Sequence, residues 1–130
     1  MPKVVPVIAP KDEAGIKAGL VNLLKAANAL KIDVEPQGFA MAWLSDSTRI
    51  ILATEGDQPV GMGIMAYGRR YYDSDVSASM LVAAGPARKD VLRFAFDMAK
   101  ILGAHKFYYE AEPGDDLGGT QADMRMLEVT

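Results

Sequence analysis

Cysteine is absent from this 130-residue chain. That removes disulfides, thiolate nucleophiles and every cysteine metal site. Histidine occurs once, at His105, so no metal site built on several imidazoles is available, and none is expected. No apolar run approaches the roughly 20 residues that span a bilayer. The opening stretch MPKVVPVIAP is too short and too proline-broken for a signal peptide. An excess of positive charge is also missing. Fourteen basic against 17 acidic side chains leave a formal net charge of −3, which argues against bulk nucleic-acid binding and leaves room only for a local basic patch. These absences predict a soluble protein without a membrane, active in the cytoplasm or assembled from an intracellular pool.

What is present is a globular composition, 50% hydrophobic and 24% charged. One domain spanning 1–130 is expected, long enough to bury a core without covalent staples. Lys3–Ile8 is apolar and β-branched, and Pro6 restricts it to a sheet edge. Ile16, Leu20, Leu23, Leu24, Ala27 and Leu30 recur at helical spacing within 10–30, with Asp12 and Glu13 in the first turn. Pro36 opens a shorter helix whose apolar side holds Phe39, Ala40, Trp43 and Leu44. Arg49–Glu55 and Val60–Tyr67 read as strands joined by the turn 56–59. After the polar turn 68–75 come a strand at Val76–Ala84, a helix at Ala87–Leu102, a strand at Lys106–Glu112, a turn-rich loop and a closing strand within 123–130. The predicted order is β-α-α-β-β-β-α-β-β. The class is α+β (α/β-like), with a mixed, mostly antiparallel sheet and one parallel, right-handed βαβ crossover between residues 76 and 112.

A strand-to-helix turn can cradle a ligand, so the elbow Gly85-Pro86 is the natural place to look for one. The element order resembles the GNAT (Gcn5-related N-acetyltransferase) fold over nearly the whole chain. The strings AKILGAHKFYYEAE and ATEGDQPVGMGIMAY are similar to that family's helix-Gly-strand segment and to its second and third strands. The resemblance implies an acetyl-CoA pyrophosphate loop of the form Arg/Gln-x-x-Gly-x-Gly/Ala after the fourth strand. In the best register, Val82 stands at the Arg/Gln position, and Gly85 and Ala87 occupy the small positions. Pro86 removes a donor amide, and Arg88 and Lys89 remain to attract a phosphate. The helix that would follow the strand at 106–112, often the source of a general-acid tyrosine, has no counterpart in the turn formers of 113–122. The string GPARKDVLRFAF is also similar in pattern to small phage-encoded, GNAT-like proteins that lack the cofactor motif.

Other residues each carry two readings. Gly85 either lets a cofactor approach the backbone or only turns the chain. Arg88 and Lys89 either bind phosphate or are solvated first-turn cations. Glu55 and Glu110 are candidate general bases if buried, and exposed strand residues otherwise. Tyr108 and Tyr109 point to opposite faces of one strand, so at most one faces a site. Trp43 reads as core or as the wall of a groove, and His105 as a surface or capping residue. Arg69, Arg70, Tyr71 and Tyr72 form a basic-aromatic cluster suited to a protein interface, or less readily to stacked nucleic-acid bases.

No catalytic residue is assigned. The expected function is a GNAT-like domain without an intact acetyl-CoA loop and without a cofactor. It would act through protein partners in an oligomeric assembly, with a phage particle or the host cytoplasm as its location. The alternative is a minimal acetyl-CoA-dependent N-acetyltransferase, with Val82, Gly85, Ala87 and Arg88 at the cofactor.

Overall fold

The computed structural model describes residues 1–69, 76–110, 112 and 125–128. Its elements are β1 (Lys3–Pro6), α1 (Glu13–Ala29), α2 (Pro36–Leu44), β2 (Thr48–Glu55), β3 (Gln58–Arg69), β4 (Val76–Ala84), α3 (Arg88–Ile101), β5 (Lys106–Tyr109) and β6 (Arg125–Glu128). This is the element order read from the sequence. The strand expected to reach Ile8 ends at Pro6, and the one expected to reach Glu112 ends at Tyr109.

The six strands lie side by side in chain order, with β1 at one edge. All neighbours are antiparallel except β4 and β5, which run parallel on either side of α3. The helices divide between the two faces. On one face, Leu23, Ala26 and Ala27 of α1 and Phe39 and Trp43 of α2 bury against Ile50, Met62 and Ile64. On the other, Val91, Leu92, Ala95 and Ala99 of α3 bury against Ile51, Met65, Ala78 and Phe107. The one-residue alternation of Ile50 and Ile51 feeds both cores. Each fully buried Val or Leu in these layers contributes about 1.5–3 kcal/mol relative to exposure. Leu44, read as part of the apolar side of α2, is instead exposed. A nine-residue helix has room to bury little more than one ridge, and Phe39 and Trp43 occupy it.

Local chemistry fixes the helix starts. The Asp12 carboxylate accepts from the Gly15 amide at 2.7 Å, capping α1. Glu35 does the same for α2, accepting from Gln37 and Gly38 ahead of Pro36 at the first helical position. No side chain caps α3. Trp43 is core, and its indole N–H donates to the Val7 carbonyl at 2.9 Å. Gly19 makes room for it, since a Cβ there would stand 2.6 Å from the Trp43 ring.

Candidate functional site

The parallel pairing of β4 with β5 lasts only from Ser77–Ser79 against Lys106–Tyr108. Beyond that point β4 continues to Ala84, and no strand pairs its far edge among the described residues. The two strands therefore open into a fork. A bulge lies at its throat: Met65 pairs with Met80 but Ile64 with Val82, so Leu81 is the extra residue. Bulges re-aim side chains next to sites, and Leu81 is 62% exposed here. A cleft of about 220 Å³ fills the fork, lined by Leu81, Val82, Ala83, Tyr109, Glu110 and Arg88, among others.

The elbow follows β4 directly, between Ala83 and Arg88, which both line the cleft. Gly85 has φ +98°, a conformation that favours glycine. A Cβ at Gly85 would stand 2.5 Å from the Val60 carbonyl oxygen and 2.9 Å from the Gly61 Cα. The missing side chain therefore makes room for the protein's own β3. The sheet is correspondingly thin at this point. A Cβ at Gly63 would meet Val91 Cγ1 at 2.6 Å, and one at Gly61 would meet Val91 Cγ2 at 3.0 Å. The glycines of β3 thus let the first turn of α3 rest on the strand, and they set where the elbow lies.

That closeness uses up donors. The Ala87 amide donates to the Val60 carbonyl at 2.8 Å, and the Arg88 amide donates to the Gly85 carbonyl at 3.1 Å. Pro86 has no N–H. Of the three consecutive positions 86–88, none offers a backbone donor that is not already bonded within the fold or absent. The side chain of Val82 packs against the α1–α2 core, so the position that the family resemblance gives to Arg or Gln is spent on packing.

Of the two readings of Arg88, phosphate ligand or solvated cation, the second is corrected. Its side chain is only 12% exposed and forms an ion pair with Glu112, Nε to Oε2 2.9 Å. Nε also donates to the Ala83 carbonyl at 3.1 Å, and Nη2 donates to the Glu110 carbonyl at 2.6 Å. The guanidinium thus spans the fork from the end of β4 to the chain leaving β5. A cation in a first helical turn is disfavoured by about 0.3–1 kcal/mol. Charge-assisted bonds of about 1.5–3 kcal/mol each offset that.

The remaining candidates scatter. Glu110 is exposed at the mouth of the cleft, whereas Glu55 is exposed at the β2–β3 turn and does not line it. Tyr109 is buried and lines the cleft, and Tyr108 is half-buried on the opposite face. Lys89 and His105 are exposed, and the His105 amide donates to the Val76 carbonyl. Arg69 ends β3, while Arg70, Tyr71 and Tyr72 lie outside the described residues. Among the described residues no group of His, Asp and Glu has the makings of a metal site, and no helix is long and apolar enough to cross a membrane. Sequence reasoning missed Glu112, the Ala83 and Val60 carbonyls and the bulge at Leu81. Backbone acceptors leave no mark in a sequence, and only the spacing Gly61-x-Gly63 ahead of Gly85 hinted at a close approach.

No protein-family model matches the sequence, and no curated protein matches it significantly. Solved structures do match by shape. A GNAT family acetyltransferase of Staphylococcus aureus superposes with a TM-score of 0.65 at 11% identity, covering 93% of this chain and 94% of that one. An aminoglycoside 6'-N-acetyltransferase of Acinetobacter baumannii gives 0.61 at 16% identity, covering 88% and 82%. A protein of Bacillus halodurans described as a transcriptional regulator gives 0.60 at 13% identity, covering 87% and 83%. The fold is GNAT-like. Likeness at these identities carries the fold and not the activity.

Proposed function

We propose that this GNAT-like domain is a non-catalytic binding module that acts within a protein assembly. The observation that carries this reading is Arg88. Its guanidinium bonds across the fork between β4 and β5, where an extended ligand would otherwise meet the edge of β4 that no strand pairs beyond Ser79 among the described residues. The elbow supports it, because the Ala87 and Arg88 amides are bonded within the fold and Pro86 has none. Val82, Gly85 and Ala87 serve packing and close approach here, and no cofactor is assigned to them. Binding to protein partners accords with the exposed apolar side chains Ile8, Met41, Leu44 and Leu81. A phage particle is the assembly this reading names, and it rests on the sequence resemblance of the GPARKDVLRFAF string alone.

Calorimetry of the intact chain with acetyl-CoA tests the reading. No binding heat is expected, and no acetyl transfer to a panel of amines. Micromolar affinity together with transfer would overturn it. One observation favours the second reading, an active minimal acetyltransferase: the cleft is not filled, and about 220 Å³ remain beside Leu81 and Glu110. In that case the amine would attack the thioester directly, with a carboxylate or water taking its proton. Acetyl transfer by the unaltered chain would establish that alternative.

A further inference from the structure

We infer that the open end of the β4–β5 fork is a guanidinium-binding site that Arg88 fills in cis. Among the described residues the site presents acceptors: the Ala83 carbonyl at the end of β4, the Glu110 carbonyl just past β5, and the Glu112 carboxylate. They lie around one planar cation at 3.1, 2.6 and 2.9 Å. Two neutral carbonyls and one anion match a group that carries several N–H donors in a plane and cannot lose its charge. An ammonium is a point charge that does not span the same acceptors. The geometry also offsets the cost of an arginine at the first position of α3, where the helix dipole disfavours it. Beyond Ser79 no strand pairs this edge of β4 among the described residues, and Arg88 gives the Ala83 carbonyl a donor that β5 no longer supplies.

The consequence is a set of acceptors kept engaged by the protein's own side chain, in the wall of a cleft that stays open beside it. With Arg88 in place the acceptors are engaged, and a guanidinium from solution has nothing to bind. Without it, the same acceptors are left clustered around a vacated, partly buried space. This inference rests on the role of Arg88 in the function proposed above, but it fails separately from it.

The test is chemical rescue in the full-length chain. Arg88→Ala is expected to lower the Tm by about 5–10 °C. Low-millimolar ethylguanidinium should restore at least half of that loss. Ethylammonium at the same concentration should not, and neither compound should move the Tm of the unaltered chain. Rescue that is absent, equal for ethylammonium, or equal in the unaltered chain overturns the inference. If Arg88→Ala does not fold, Glu112→Gln carries the test, since Glu112 is 60% exposed and its loss leaves the core intact. Amide hydrogen exchange at Leu81–Ala84 should then quicken about fivefold or more relative to α1, the weakened guanidinium no longer holding that edge. Unchanged exchange would overturn the inference. Binding of acetyl-CoA to the unaltered chain would overturn the proposed function while leaving the rescue result standing.

Discussion

The contact between Gly63 and Val91 sets the height of α3 above the sheet, and a double-mutant cycle can measure it. A Cβ at Gly63 would lie 2.6 Å from Val91 Cγ1 and 2.9 Å from Met80 Cε. Carbon atoms are comfortable at about 3.5–4.0 Å, so Gly63→Ala forces α3 outward or Val91 out of its rotamer. Overpacking of this kind costs about 1–3 kcal/mol. Replacing a strand glycine returns roughly 0.5–1 kcal/mol of chain entropy, for a net loss of about 1–2 kcal/mol. Val91→Ala alone removes two methyl groups from a site with no solvent exposure. Transfer and cavity terms put that loss at about 2–3 kcal/mol. In the double variant the new methyl enters the space Val91 has left, and the flexible end of Met80 can move aside. Gly63→Ala should then be neutral or slightly stabilising in the Val91→Ala background, a coupling of about 1–3 kcal/mol. Urea unfolding of the four chains gives the cycle directly. Additivity within about 0.5 kcal/mol would refute the close approach.

Three further outcomes are expected. Gly85→Ala places a Cβ against the backbone of Val60 and Gly61 at φ +98° and should cost about 3 kcal/mol or more in urea unfolding; a loss under about 1 kcal/mol would show that the elbow is not pinned to β3. Asp12→Ala removes the cap at Gly15 and should cost about 1 kcal/mol by the same assay, with an unchanged midpoint contradicting the capping geometry. Trp43→Phe leaves the Val7 carbonyl without its indole donor and opens a small void, for about 1–3 kcal/mol; thermal unfolding indistinguishable from the parent would count against it.

The fold was legible because its signals are periodic and local. The stripe from Ile16 to Leu30 shows as helix, and the runs around Ile51 and Met62 as paired strands. The break at Gly85-Pro86 shows as the passage into α3. Leu44 misled because its spacing fits the apolar side of α2, while burial there depends on how much sheet lies beneath. The site was legible only in part. Gly85, Pro86 and Arg88 stood out as the elbow, but what Gly85 accommodates is the Val60 carbonyl, and a carbonyl has no sequence signature. Arg88 read as a phosphate ligand or a solvated cation, the usual roles of a cation in a first helical turn. Its acceptors at Ala83, Glu110 and Glu112 come together only once β4 and β5 diverge.

The indole bond from Trp43 to Val7 has a thermodynamic consequence beyond its own strength. The β2–β3 hairpin closes around a short turn at Gly56 and Asp57, whereas β1 reaches β2 only across a loop that contains both α1 and α2. Closure entropy grows with loop length, so β1 carries the larger ordering cost for a ladder of four residues. Trp43 lies within that same loop, and its donor reaches the residue just after β1. One closure event therefore completes both the ladder and the helix-to-edge bond. The edge strand β1 and the α1–α2 layer are thereby tied together, so that loosening α2 should also loosen that edge.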